Sequence, residues 1–486
     1  MLRSKKRTPL FAKEHITEFM TSTAEASSKH CYLTSEGCKG YTLRMRQRHS
    51  VLILTLLLLS IAACSPGHTG GNIIAFLRAG QLWTIDPSGA NAFAIVSGGE
   101  PVVGYSWSPD HRLIAFRQLD TTFATSSAAK NLPAQPVTGQ IADVPSTVNT
   151  FGVDGGTPIS IALSSPQVYY SNPFWISNGT HLLYRQWGPS HPASQEDVTW
   201  WVAQNDQPAG IAAKSLPPLA SLPSVEENNQ RLAGSSSHGI ISTTLAGTNQ
   251  QDLTRAPLSG HPLPATLERV LWQPGPSQGA LLYAVASNGE TASTSAPLQL
   301  LLRQQNGQTT PLFSCACTQF AWSPNGQMIL YSTGSDFTIF SLRDKSSYTV
   351  QAEQGSVPYW SPDSRFLLLD GPHTLHLVQP QARQDHVLLS DGQQTARAET
   401  SEQVAANTLL QPVPNSLWAS DSRHFLFLTH QRLSWQGQKL AGGEGLYAIA
   451  LGENGQPQGQ PTLVASGNTI SQAGWTYQNP NTSFLY

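Results

Sequence analysis

Three kinds of residue in this chain could do chemistry by type and spacing: a close cysteine pair, recurring histidines, and carboxylates set in turns. Cys315 and Cys317 are separated by one residue. Such a pair reads as a redox or metal site, or more simply as two thiols on one side of a strand end. A disulfide between them would close a very small and strained ring. No second CxC or CxxC exists to complete a zinc site. His111, His181 and His424 recur just after a tryptophan. Repetition of one unit could gather them on one face, but as turn residues they read as solvated. His373 and His376 are three apart near a strand, which sends them to opposite faces. Asp110, Asp363 and Asp421 sit in turns, where a carboxylate bonds backbone amides. GxSxG, HExxH, a Walker loop, an EF-hand loop and GxGxxG are absent from the sequence. No catalytic residue, metal ligand or cofactor-binding residue is therefore assigned.

The elements that must position these residues come from a repeated phrase. YSWSPDHRLIAF (Tyr105–Phe116), FAWSPNGQMILY (Phe320–Tyr331) and PYWSPDSRFLLL (Pro358–Leu369) are its clearest copies. Each holds a Trp, a turn rich in Ser, Pro, Asp, Asn or Gly, and a short apolar run. That is a strand, a tight turn and a second strand. The tryptophans stand at 107, 175, 272, 322, 360, 418 and 475. A second, Trp-free hairpin alternates with the first, as in Gln81–Val96, Gly239–Thr254 and Asp336–Gln351. Two hairpins make a four-stranded antiparallel unit, strands a to d, apolar on both faces. Copies packed radially bury both faces and give an all-β, seven-bladed β-propeller. Each Trp then wedges between blades, burying about 150–250 Å². Eight blades are the alternative, the extra one drawn from VTWWVA at Val198–Ala203.

The phrase resembles the TolB-like propeller repeat, the WD40-like class of exported bacterial proteins. Ser108-Pro109-Asp110, Ser323-Pro324-Asn325-Gly326 and Ser361-Pro362-Asp363 match it, and the likeness runs through nearly all of 72–486. The units at Trp175, Trp272 and Trp475 have lost the Ser-Pro pair. The resemblance implies a propeller platform and no single activity.

The order of phrases predicts how the ring closes. The chain opens on a second-type hairpin, Gln81–Val96, and ends on a Trp hairpin, Ala473–Tyr486. Those halves should combine into one blade, with NIIAF (Asn72–Phe76) and SFLY (Ser483–Tyr486) competing for its strand b. The a–b and c–d turns then lie at one end of the ring and the other connections at the opposite end. Arg117–Asn149, Arg185–His238, His430–Gly445 and Ser390–Asn415 read as long connections at that second end. Long loops on a rigid scaffold usually carry binding.

The address lies upstream. Val51–Ala63 is thirteen uncharged residues preceded by Arg44, Arg46 and Arg48. Its helical length of about 20 Å falls short of the ~30 Å of a bilayer core. A basic flank, a short apolar core and the small residues of Ile61-Ala62-Ala63-Cys64 make an export signal. The ending resembles a bacterial lipobox, which implies cleavage before Cys64 and a lipid on its sulfur. The rival is an uncleaved signal anchor. The division is then 1–44, a non-native or disordered extension; 45–63, a lipoprotein signal peptide whose start is Met45; 64–71, a tether; and 72–486, the propeller.

Only 12% of the 486 residues are charged. Residues 64–486 carry 18 basic and 26 acidic groups, a poor match for a phosphate backbone, so nucleic acid is disfavoured. The expected function is a lipid-anchored, extracytoplasmic module at the cell membrane that binds a protein, peptide or glycan without catalysis or cofactor. The alternatives are a saccharide lyase or hydrolase with residues at the central channel, and a sensor or envelope-complex component.

Overall fold

Apolar residues at alternate positions on both sides of short, turn-bounded runs leave each hairpin with two faces to bury. The computed structural model describes residues 73–476 with interruptions, the longest at 133–141, 189–197, 255–268, 287–296 and 391–409. Cys64, the signal segment and SFLY lie outside the described residues. All described residues belong to one of two compact units, Pro66–Tyr486.

The described strands form successive antiparallel meanders. Sheet 1 joins Ile74–Arg78, Gln81–Ile85 and Phe93–Val96 to Ile470–Trp475 from the other extremity. Sheet 2 holds Val102–Trp107, Leu113–Leu119, Val144–Gly152 and Ile159–Ala162. Sheet 3 holds Phe174–Ile176, His181–Trp187, Thr199–Gln204 and Lys214–Ser215. Tyr169–Tyr170 pairs with both, fusing sheets 2 and 3 into one nine-stranded sheet. Sheet 4 is Ser224–Glu226, Arg231–Ser236, Gly239–Thr244 and Gln251–Asp252. Sheet 5 is Val270–Trp272, Leu281–Ala286, Leu298–Arg303 and Thr309–Cys315. Sheet 6 is Gln319–Trp322, Met328–Ser332, Asp336–Ser341 and Ser347–Gln351. Sheet 7 is Val357–Trp360, Leu367–Asp370, Thr374–Gln379 and Gln384–Ser390. In sheet 8, His424–Thr429, Gly445–Ala450 and Thr462–Ser466 are completed by a single bridge, Trp418 to Phe425, in the place of strand a.

This is an all-β propeller closed by its two extremities. Ile74 pairs with Trp475 and Arg78 with Ile470, so the NIIAF segment holds strand b of the shared sheet. The described groups number eight, against seven tryptophan hairpins. The additional group is not where VTWWVA suggested: Thr199–Gln204 is the ordinary strand c of sheet 3. Arg185–His238 is accordingly no single loop, because it contains strands of sheets 3 and 4.

The missing signal was the tryptophan of sheet 4. Glu226 ends its strand a, in the slot where Trp272, Trp322 and Trp360 end theirs. Arg231 Nε lies 2.8 Å from Glu226 Oε2, and its guanidinium sits over the Trp272 ring at 5.2 Å. An ion pair with a cation–π contact fills the wedge there.

Hydrogen bonds link several strands a to their neighbours. The Trp175 indole N–H donates to Ser106 O, that of Trp322 to Leu271 O, and that of Trp418 to Tyr359 O. The acceptor is each time the residue just before the neighbouring sheet's strand-a tryptophan. Asn415 Nδ2 donates to Gln472 O, Gln472 Nε2 to Val103 O, and Asn172 Nδ2 to Tyr105 O. Strand a is an edge strand facing the ring axis, and these donors occupy its otherwise open carbonyls. The tryptophans are thus core wedges, as their type and spacing predicted. Among the described residues no helix is long and apolar enough to cross a membrane.

Candidate functional site

The two ends of the ring differ in kind. The a–b turns occupy residues 108–112, 177–180, 227–230, 273–280, 323–327, 361–366 and 419–423. At the opposite end, strand b stops at Leu119, Trp187, Ala286 and Thr429 and strand c begins at Val144, Thr199, Leu298 and Gly445. The sequence separation between strands b and c in these four sheets is therefore greater than across any a–b turn.

At the short end the Ser-Pro-Asp turns are built from their own side chains. Ser108 Oγ donates to Asp110 Oδ1 and accepts from Leu113 N at 2.9 Å; Ser361 repeats this with Asp363 and Phe366 N. Asp110, Asp363 and Asp421 each accept the backbone N–H two residues on, as the sequence implied. The turn passes through the left-handed region at His111, Gly326, Ser364 and Ser422. Ser364 Oγ then accepts Asn325 N, and Ser422 Oγ accepts Asp363 N, so each turn is fastened to the preceding one. For Asp421, burial pushes the carboxyl up, but the Arg423 N–H and the His424 ring outweigh it and hold it below the usual range.

The structure keeps the three recurring histidines apart. His111 Nδ1 meets Thr476 O at 3.1 Å, His181 Nδ1 meets Thr180 Oγ1 at 2.9 Å, and His424 Nδ1 meets Asp421 Oδ2 at 2.6 Å. His376 lies inside strand c of sheet 7, where burial pushes its ring below the ordinary value. His373 sits in the turn before it and its backbone N–H donates to Glu353 Oε2 at 2.7 Å. Among the described residues no group of three or more His, Cys, Asp or Glu side chains could hold a metal ion. Cys315 and Cys317 are joined as a disulfide, with Cα atoms 5.1 Å apart, in the connection from sheet 5 to sheet 6. The two sulfurs thus lie on one side of the strand end, as their spacing implied, and are bonded to each other.

The b–c end carries charged groups that sequence spacing did not single out. Where sheets 2 and 3 fuse, Asp143 accepts from Arg185 Nε at 2.8 Å and from the Trp187 indole at 2.9 Å. Trp187 stacks on Tyr169 with ring centroids 4.1 Å apart, Phe123 meets Tyr169 edge-on, and Arg185 lies over Trp200. The Arg185 side chain stays 41% exposed. Arg117 is fully buried and donates to Tyr170 O and Ala142 O, tying strand b of sheet 2 to the same corner. The corner presents a guanidinium edge on an aromatic bed, chemistry suited to carboxylates, carbonyls or hydroxyls of a bound chain.

In sheet 7, Asp370 is wholly buried and neither carboxylate oxygen has a partner. Burial, then the Glu353 charge, pushes its carboxyl up to about 8. Its one legible sign was an acid ending the run Leu367-Leu368-Leu369, since a buried lone carboxylate demands an explanation. Arg185 and Asp143, 42 residues apart in sequence, left no sign at all.

No family model matches the chain, and no curated protein matches it. Among solved structures it is similar to an oligogalacturonate lyase in complex with manganese, at 12% identity and TM-score 0.42, over 62% of this chain and 84% of that one. A eukaryotic initiation factor gives 12% identity and TM-score 0.45, over 84% and 99%. An oligogalacturonate lyase from Vibrio parahaemolyticus gives 10% identity and TM-score 0.40, over 60% and 80%. Likenesses this remote identify no activity for this chain.

Proposed function

We propose that this chain is a lipid-anchored β-propeller on the extracytoplasmic face of the cell membrane, which binds a protein, peptide or glycan at its b–c end without catalysis. The observation that carries this reading is the identity of the first strand. Ile74–Arg78 is strand b of the shared sheet, so the polypeptide enters the ring at the a–b turn end, opposite the long connections. A seven-residue tether, Ser65–Gly71, reaches about 25 Å at most when extended. An anchor at Cys64 would therefore hold the short turns toward the membrane and present the b–c end outward. The Cys315–Cys317 disulfide supports an oxidising compartment. The Arg185 corner supplies a polar and aromatic surface at the presented end.

The test is made on whole cells and spheroplasts. A Cys64→Ser chain should leave the membrane fraction. A protease site placed between Gly188 and Val198 should be cut from outside, while one placed between Trp322 and Met328 should be shielded. Retention of the Cys64→Ser chain on membranes overturns the lipid anchor, and equal cutting at both sites overturns the orientation and with it the binding face.

A further inference from the structure

Where sheets 2 and 3 fuse, the chain fixes one guanidinium and leaves one of its edges open. Arg185 lies in strand b of sheet 3. Its backbone N–H donates to Ser171 Oγ at 2.9 Å, and its carbonyl accepts from Ser171 N at 3.0 Å. Side chains alternate along a strand and match across a pair, so Arg185 shares a face with Trp187 and with its cross-strand partner Trp200. The guanidinium carbon stands 5.8 Å from the Trp200 ring centroid. Nε and Nη2 both reach Asp143 Oδ2, at 2.8 and 2.7 Å, and the Trp187 indole donates to that same oxygen.

Asp143 is held in turn. Its side chain is only 8% exposed, and Ala142 before it accepts from the buried Arg117. Arg117 also donates to Tyr170 O, next to the Tyr169 ring on which Trp187 stacks. Asp120, the other carboxylate at this end of sheet 2, caps the backbone N–H groups of Thr122 and Phe123.

A guanidinium carries five N–H donors in a planar fork. The described contacts fall on the edge made by Nε and Nη2. The opposite edge, Nη1 with the second hydrogen of Nη2, belongs to a side chain that keeps 41% of its surface open to solvent. Two parallel donors match the two oxygens of a carboxylate, whereas a hydroxyl or a carbonyl fills only half of the fork. Trp187, Trp200 and Phe123 are buried and form the walls, so none of them offers an open face to a sugar ring. A single fork between buried walls fits one acidic group on a peptide. Resting on the reading of the b–c end as the binding face, we propose that this outer edge of Arg185 anchors a carboxylate of the bound peptide, with Asp143 as the positioning residue behind it. The fork is oriented before the ligand arrives, which lowers the cost of binding. The Asp143 charge opposes the incoming carboxylate, so orientation is obtained at some loss of attraction.

Fluorescence anisotropy with the full chain in detergent tests this, since binding there does not depend on which end faces the membrane. The probes are short labelled peptides: a glutamate-rich one with an amidated end, its glutamine counterpart with an amidated end, and the glutamine peptide with a free terminal carboxylate. At least one carboxylate peptide should bind about tenfold tighter than the neutral one, and the two arms tell a side-chain carboxylate from a terminal one. Arg185→Gln should abolish that preference. Arg185→Lys, a point charge without the fork, should keep only a small part of it. Asp143→Asn keeps an oxygen for Arg185 and Trp187 but removes the opposing charge. It should tighten the carboxylate peptides and leave the neutral one unchanged, which a merely structural Asp143 would not do. Equal binding of charged and neutral peptides, binding of none, or a preference that survives Arg185→Gln overturns the anchor. A uronic-acid oligosaccharide that binds through Arg185 more tightly than either acidic peptide overturns the peptide as occupant. If Asp143→Asn does not fold, the Arg185 variants decide alone. An Arg185-dependent preference together with equal protease cutting on cells keeps the anchor and overturns only the orientation.

Discussion

At the scale of the residue, the strand-a tryptophans look alike in sequence and differ in the folded protein. Trp322 and Trp360 are both buried, yet only Trp322 has an indole partner, Leu271 O at 3.2 Å; Trp360 Nε1 has none. Replacing either by Phe removes a similar volume, but only Trp322→Phe also breaks a hydrogen bond between sheets. Trp322→Phe should therefore cost about 1 kcal/mol more than Trp360→Phe in urea unfolding. Equal losses would remove these inter-sheet hydrogen bonds from the account of stability. Asp370 gives the residue-scale pH effect. Its folded value of about 8 lies above the ordinary carboxylate value of about 3.9. The folded state therefore holds the proton more tightly. Stability from that difference is fully present below the ordinary value and is lost as pH rises through about 8. The urea midpoint of the parent should fall relative to that of Asp370→Asn between about pH 5 and pH 9, with most of the change complete once pH has passed the folded value.

At the scale of the element, the turns that the sequence made legible are also where neighbouring sheets touch. Gly326 has φ +67°, and a Cβ there would collide with Pro274 O of the adjacent sheet's turn. Gly334, at φ +90°, faces open space. Gly334→Ala should cost about 1–2 kcal/mol, the strain of a left-handed Ala alone. Gly326→Ala should cost clearly more, because a backbone carbonyl has to move as well; calorimetric unfolding of both variants compares them directly. The same elements show what was readable and what was not. Serine, proline and aspartate specify a turn through bonds within five residues, so local sequence carries them. Strand a of sheet 4 was missed because its wedge is made by Glu226, Arg231 and a tryptophan 46 residues away, Trp272. Nothing in Ser224–Glu226 announces a partner that only the ring supplies. The Asp143–Arg185 pair was invisible for the same reason, and Asp370 gained meaning only once its strand was known to lie against sheet 8.

At the scale of the whole molecule, one seam decides whether the sheets form a ring or an open stack. Sheet 1 draws three strands from the first described residues and its strand a from Ile470–Trp475. Trp475 N also donates to Ser416 O of sheet 8, and Asn415 Nδ2 to Gln472 O, so the last strand is held from both sides. Cutting the chain after Gln472 removes Ala473, Gly474 and Trp475, which include the pairings to Ile74 and Ala75. That truncation should leave Ser416 O of sheet 8 without its Trp475 donor and Ile74 and Ala75 without their partners, broaden the unfolding transition and separate the fluorescence and circular-dichroism midpoints. Ending the chain after Thr476 keeps every described pairing of the seam, since strand b is supplied by Ile74–Arg78 and not by SFLY. That shorter cut should melt as the parent does. A chain ending at Gln472 that unfolds in one coincident transition at the parental midpoint would falsify closure as the source of cooperativity. It would also leave the assignment of Ile74–Arg78 as strand b, and so the outward presentation of the b–c end, without its energetic basis.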